Sequence, residues 1–296
     1  MKIVLTGATG FLGRYVARQL AAEGHALRCL ARPGSRREGL PEAIEWCEGD
    51  LSSPAGFPEL LAGCEAVVHA ALHHPSGRFR EDDSDLLGYL QINLVGSLAL
   101  IEAARQAGCE RFVFVSTCAV HEKILGDRPL DEAHPLWPTS HYGAYKAAVE
   151  AFVHSYGKGH GFPICAIRPT GIYGLAEPVE ASRWYDLVAA IARGDTVTCM
   201  RGGKEVHAAD VARAIALLLK AENIAGEVYN CYDRYVSEYE VATLARRLTR
   251  RNVKIEGRPS APKNQIVTDK LRAQGVKFGG TRLLEETVKQ LVRAVG

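Results

Sequence analysis

None of the eight cysteines (29, 47, 64, 109, 118, 165, 199 and 231) stands in a C-x-x-C pair. Scattered in this way, they offer no zinc knuckle and no redox motif, and Cys29 and Cys165 lie inside apolar runs. They read as small hydrophobes in a reducing cytoplasm, with no disulfides. Charge of one sign is equally scarce. A net charge of +2 over 296 residues argues against a nucleic-acid partner, and the Arg36-Arg37 and Arg246-Arg247 pairs read as solvated faces. No apolar run approaches the ~18 residues that span a membrane. Met1-Lys2 leads directly into an apolar strand and leaves no room for a signal peptide. Repeats and low-complexity tracts are missing too. With 47% hydrophobic and 24% charged residues, what remains is an ordinary globular protein with ample material for a core.

The length exceeds that of a usual single domain and predicts a large α/β unit with a smaller lobe. In the first half, short apolar runs alternate with helical patterns, the signature of βαβ units and a doubly wound parallel sheet. Strands are expected at 2–6, 26–31, 44–48, 66–69, 111–116 and 163–168. Helices are expected over 11–23, 85–107 and 142–156, the second carrying a stripe of Leu87, Leu90, Leu94, Leu98 and Ile101. Near-continuous runs such as Phe112-Val113-Phe114-Val115 suit a sheet covered on both faces. Beyond Pro169 the pattern loosens: 201–204 reads as turn, 210–220 as helix, 228–230 as a late strand, 237–249 and 283–295 as amphipathic helices. The expected division is a doubly wound domain of 1–172 with 205–232, and a smaller lobe of 173–204 with 233–296.

Two motifs carry chemistry. Gly7, Gly10 and Gly13, with Thr9, Phe11 and Leu12 between them, form G-x-x-G-x-x-G between the first strand and the first helix. Such a loop lets the backbone approach a pyrophosphate, which then sits at a helix N-terminus. Tyr142 and Lys146 are i and i+4 on a predicted helix and share one face. An ammonium beside a phenol favours the phenolate and makes tyrosine an acid/base group usable near neutral pH. Tyr145 is adjacent to Lys146 and does not share that face. The second strand ends in Ala31-Arg32, with Ser35 and Arg36 following and no carboxylate. An arginine there would neutralise the 2′-phosphate of NADP; the other reading is a basic turn in an NAD enzyme. Asp50-Leu51 after the third strand suits an adenine contact.

The ordered series now resembles the extended short-chain dehydrogenase/reductase superfamily, the branch of UDP-galactose 4-epimerase-like enzymes. It comprises 6–13, Asp50-Leu51, His69-Ala70-Ala71, Asn93, Ser116-Thr117, Tyr142 to Lys146, Arg168-Pro169, His207 to Val211 and Asp269-Lys270. The resemblance covers essentially the whole chain. It implies a Thr117/Tyr142/Lys146 triad, with Thr117 lying 25 positions before the tyrosine. It adds His69, Ala70, Ala71, Asn93, Ser116, Arg168 and Pro169, with Lys146, to the cofactor site. It places Cys118, Thr170 and Gly171 at the substrate and leaves Arg201 or Lys204, with Arg258, to grip a nucleotide; His73 or His74 reads as lining the substrate mouth or facing solvent. Dehydratase members carry Asp-Glu after the threonine, where Cys118-Ala119 stands here. The implied activity is epimerisation of a sugar, nucleotide-linked, with NADP or NAD. The alternatives are an NADPH-dependent carbonyl reductase or alcohol dehydrogenase and a non-catalytic NADP sensor. The resemblance also implies a homodimer through the 85–107 and 142–156 helices. His69, His73 and His74 lack a carboxylate pattern that would make them a metal site.

Overall fold

Seven of the predicted apolar runs pair side by side, all parallel. The computed structural model describes residues 1–74 and 85–296; the expected loop at Pro75-Ser76-Gly77 lies outside the described residues. In chain order the first six strands are β1 (Lys2–Thr6), β2 (Ala26–Ala31), β3 (Glu45–Glu48), β4 (Ala66–His69), β5 (Arg111–Val115) and β6 (Ile164–Pro169). The later ones are β7 (Gly171–Tyr173), β8 (Val197–Cys199), β9 (Gly202–His207), β10 (Glu227–Cys231), β11 (Arg234–Ser237) and β12 (Ile255–Gly257). The helices are α1 (Phe11–Ala22), α2 (Phe57–Leu61), α3 (Leu86–Leu90), α4 (Gly96–Gln106), α5 (His141–His154) and α6 (Tyr185–Arg193). After them come α7 (Ala208–Leu218), α8 (Glu238–Thr249), α9 (Asp269–Ala273) and α10 (Gly280–Val295). A wider-pitched turn, Gln91–Val95, joins α3 to α4 without a break.

The large sheet runs β3-β2-β1-β4-β5-β6-β10. The order reverses between β1 and β4, the switch point at which doubly wound sheets open a crevice beyond their strand ends. Every residue of β6 is buried, as are all but the first of β1 and β5. Parallel strands covered on both faces need this near-uniform apolarity. The core of this unit gathers Val4, Val67, Phe112 and Ile164 from the sheet with Leu100, Ile101, Val149 and Val153 from the helices.

The chain divides into two units. The first comprises Met1–Pro169, Val211–Cys231 and Val267–Val276; the second comprises Thr170–Asp210, Tyr232–Ile266 and Lys277–Gly296. Relative to the expected boundaries, β9 falls in the second unit, because it pairs with β7 on one side and β11 on the other. Residues 267–276 fall in the first unit: Leu130 accepts a bond from the Val267 amide, and the Asn230 side-chain amide donates to the Val267 carbonyl. The expected turn at 201–204 is instead the start of β9. Its glycines serve close approach rather than reversal. A side chain at Gly202 would collide with the Tyr235 ring at 2.6 Å, and one at Gly203 with the Glu205 carboxylate at 2.2 Å.

One further expectation is corrected. The continuous helix Leu86–Gln106, 21 residues with mean hydropathy 1.5, is long and apolar enough to cross a membrane by length and composition. Leu100, Ile101 and Ala104 of that helix are fully buried in the core of the first unit, whereas Leu87 is 79% exposed. The stripe read from the sequence is thus split between core and surface.

Candidate active site

The glycine loop is built by packing. Gly7 adopts φ +77°, and a side chain there would meet the Ala70 carbonyl and the Ala71 amide at 2.8 Å. One at Gly13 would strike the Gly7 oxygen at 1.9 Å. The loop is therefore pressed between the first turn of α1 and the segment after β4, and glycine alone fits. Gly10 caps α1 without a side-chain bond, and no acidic residue stands in the first turn. Thr9, Phe11 and Leu12 flank an N-terminus whose amides are uncapped by any side chain, which suits an anion. A dinucleotide pyrophosphate fits this cradle.

A directional polar relay fixes the segment after β4. The Ser97 hydroxyl donates to the Asn93 carbonyl, so the 2.8 Å contact between Ser97 Oγ and His69 Nε2 is one in which the imidazole donates. Nδ1 then accepts from the Thr6 hydroxyl at 2.6 Å, and Thr6 accepts from the Ala71 amide at 3.2 Å. The hydrogen bonds thus assign the tautomer. Burial pushes the His69 pKa down to about 3, and the ring is neutral at working pH. Asn93 holds the same segment from the other side, accepting from the His73 amide at 2.8 Å and donating to the His73 carbonyl at 3.0 Å. The His69 and Asn93 side chains, fully and almost fully buried, engage Thr6 and Ser97 and the His73 backbone rather than standing free for a ligand.

At the end of β2, Arg32 is exposed and makes no ion pair among the described residues, whereas Arg37 stacks over Trp46 and pairs with Glu48. Arg14 and Arg18 of α1 pin the loop between them: Arg14 donates to the Arg36 and Glu38 carbonyls, Arg18 to that of Gly39. Ser35 closes a turn on the Arg32 carbonyl at 3.1 Å, and the Arg36 side chain is exposed. Asp50 accepts from the Ser52 hydroxyl and amide, which hold its carboxyl below the ordinary range, with Arg32 contributing. Leu51 packs its side chain in the core.

Thr117 ends the segment after β5, caps the short turn Cys118–His121 and accepts from the Ala119 amide at 3.1 Å. Lys146 is 4% exposed; Nζ donates to the Val115 carbonyl at 2.6 Å and lies 4.5 Å from the centre of the Phe114 ring. Burial drops its pKa to about 7, with Glu150 opposing the fall. Tyr142 is half-buried on the same helix and meets Tyr145 edge-on at 5.8 Å. The Tyr145 phenol is fully buried with no hydrogen-bond partner among the described residues, and burial raises its pKa. A phenol so placed cannot exchange protons with a ligand.

Ser116 and Arg168 are committed elsewhere than a ligand. The Ser116 hydroxyl donates to Glu150, and Arg168 pairs with the same carboxylate at 2.7 Å, both partners almost wholly buried. Arg168 also donates to His121 at 3.1 Å. Glu150 was not singled out in the sequence, although it follows Lys146 at i+4, the spacing that relates Lys146 to Tyr142. Cys118 Sγ donates to the Arg168 carbonyl at 3.0 Å. Pro169 ends β6 and the first segment of the first unit. His73 is half-buried in the segment that Asn93 holds.

The remaining substrate candidates lie in the second unit. The Thr170 hydroxyl is buried with no partner among the described residues, and a side chain at Gly171 would meet Glu205 at 2.5 Å. Arg201 and Arg258 are exposed. Among the described residues, no three His, Cys, Asp or Glu side chains are grouped to hold a metal ion.

The profile of the NAD dependent epimerase/dehydratase family matches residues 3–231. Among curated proteins, the chain is 32% identical to a dTDP-D-glucose 4,6-dehydratase from Mus musculus, over 83% of this chain and 72% of that one. It is 30% identical to a ketoreductase of a farnesylated dihydroquinoline oxide from Stigmatella aurantiaca (78% and 76%), and 27% identical to a UDP-glucose 4-epimerase from Corynebacterium glutamicum (77% and 73%). Among solved structures, the Thermus thermophilus UDP-glucose 4-epimerase in complex with NAD superimposes with a TM-score of 0.79 at 24% identity, over 98% of this chain and 99% of that one. The chain is an enzyme of the NAD-dependent epimerase/dehydratase family, within the extended short-chain dehydrogenase/reductase superfamily.

Proposed function

We propose that the chain epimerises a nucleotide-linked sugar, with Thr117, Tyr142 and Lys146 as its catalytic residues. The observation that carries this reading is local. The first turn of α5, which bears Tyr142, lies directly on the turn that Thr117 begins, with room for no side chain at Gly143: one would meet the Ala119 carbonyl at 2.7 Å. The 1–74 cradle and Lys146 would hold the dinucleotide, which when bound supplies reversible hydride chemistry. Tyr142 takes the proton from the substrate hydroxyl as it is oxidised and returns one when it is restored. Thr117 already accepts from Ala119, and its hydroxyl proton is left to orient the substrate oxygen. Lys146, held in an apolar pocket against Val115, favours the phenolate when it carries its proton. Water loss needs an acid and a base after the threonine, and Cys118-Ala119 supplies neither.

Arg32, exposed and in no ion pair among the described residues, supports NADP over NAD as the cofactor. It also supports a second reading, net reduction of a ketone, which the ketoreductase relative favours. The free thiols support a reducing cytoplasm. UDP-glucose and UDP-galactose offered with NAD or NADP decide between the readings: interconversion with flat absorbance at 340 nm supports the epimerase, steady consumption of NADPH with a ketone the reductase. Tyr142→Phe should lose roughly 10²-fold in turnover, the low end of general acid–base contributions, with cofactor affinity little changed. Wild-type turnover in that variant removes the mechanism.

A further inference from the structure

Immediately after the turn Cys118–His121, the Glu122 carboxylate reaches across to the start of α5. It accepts from the Thr139 amide at 2.6 Å, the Thr139 hydroxyl at 3.1 Å, the Ser140 amide at 2.8 Å and the Ser140 hydroxyl at 3.0 Å. Ser140 is the N-cap of α5, and its oxygen in turn accepts from the Gly143 amide at 3.1 Å. One carboxylate thereby gathers the amides and hydroxyls that lead into the helix. The Lys123 amide adds a bond to the Trp137 carbonyl at 3.1 Å, so two adjacent residues tie the same two segments. Burial pushes the Glu122 pKa up, but the bonds from Thr139 and Ser140 outweigh it, leaving an anion at a helix N-terminus. Carboxylate bonds of this kind are roughly twice as strong as neutral ones.

We propose that Glu122 is a positioning residue: its carboxylate fixes the first turn of α5 against the turn that Thr117 begins, and so sets the Tyr142 phenol relative to the Thr117 hydroxyl. The proposal rests on Tyr142 as the acid/base group. Lys146 lies one turn further on, buried and tied to the Val115 carbonyl, so loosening the start of α5 displaces Tyr142 relative to Thr117. The consequence is specific. Turnover should fall while substrate and cofactor affinity hold.

The test compares Glu122→Ala, Glu122→Gln and Tyr142→Phe in the full chain, with UDP-glucose and NAD as the probe. Glu122→Ala should lose about tenfold or more in kcat, since displacements near 1 Å can cost 10²-fold. KM and cofactor affinity should hold. Glu122→Gln, which keeps one acceptor oxygen, should recover part of the loss. Hydrogen exchange at the Gly143 and Ser140 amides should quicken at least about tenfold in Glu122→Ala, and this readout needs no substrate. Wild-type kcat in Glu122→Ala beside a dead Tyr142→Phe overturns the positioning role and leaves the mechanism standing. A rise in KM together with a fall in cofactor affinity and melting temperature reduces Glu122 to general support and overturns it. Active Tyr142→Phe removes the base and the proposal with it. If UDP-glucose is not turned over, unchanged exchange at Gly143 is the overturning result.

Discussion

Lys146 shows what burying a proposed catalytic residue costs the fold. Its ammonium is buried against a carbonyl and an aromatic ring, and its pKa falls to about 7. In the unfolded chain a lysine titrates near ~10.4, so folding favours the neutral form. The cost is complete below pH 7 and disappears as pH rises through the window up to the ordinary lysine value. Without cofactor, the wild type should therefore gain stability relative to Lys146→Met between pH 7 and pH 10. Calorimetric melting of both proteins across that range checks the sign, and a gap that widens against the wild type rejects it. Arg32 makes the other prediction at this scale. A charged hydrogen bond to a 2′-phosphate is worth about 1.5–3 kcal/mol, or on the order of 10- to 150-fold in affinity. Arg32→Ala should erase most of an NADP preference and leave NAD affinity nearly unchanged. Titration of both cofactors into both proteins decides it, and equal affinities in the wild type make Arg32 a simple turn residue.

Single elements carry strains that their sequence does not announce. On β9 the Glu205 carboxylate is 1% exposed, pairs with Arg183 at 2.6 Å, and has a second oxygen with no partner among the described residues. Desolvation outweighs Arg183 and raises its pKa to about 7. The folded state thus holds the proton more tightly than the unfolded one. Stability is full below the ordinary carboxylate value and is lost as pH rises through 7. Glu205→Gln removes that loss, so it should melt above the wild type at pH 8, with the difference shrinking or reversing by pH 5. Equal differences at both pH values would show that Glu205 is already ionised without penalty. The paired glycines at 171 and 203 explain why the carboxylate can lie there at all.

At the scale of the whole molecule, the open question is what covers the apolar residues that the first unit leaves in solvent. Leu87 is 79% exposed, Val95 44% and Phe152 42%, on the helices that the family resemblance assigns to a dimer. A second copy pairing these helices would bury them in a four-helix arrangement. Sedimentation at micromolar protein should show about twice the 32.2 kDa mass of one chain, and Leu87→Glu with Phe152→Glu should return it to one. A single-chain species in the wild type rejects the stable dimer.

The sequence by itself determined the doubly wound sheet, because strand-length apolar runs and helical periodicity alternate and are local. It also determined the glycine loop and the Tyr142/Lys146 pair, whose meaning lies in spacings of three and four residues within one element. The β9 strand was not legible, since two glycines and a lysine read as turn until β7 and β11 supply the ladder. Nor were the partners of the buried polar groups. Arg168 looked free for a ligand, and only tertiary packing joins it to Glu150, 18 residues away, and through that carboxylate to Ser116. The His69 tautomer depends on Thr6 and Ser97, separated from it by 63 and 28 residues. A buried donor must find an acceptor wherever the fold brings one, and that choice is made in space rather than along the chain.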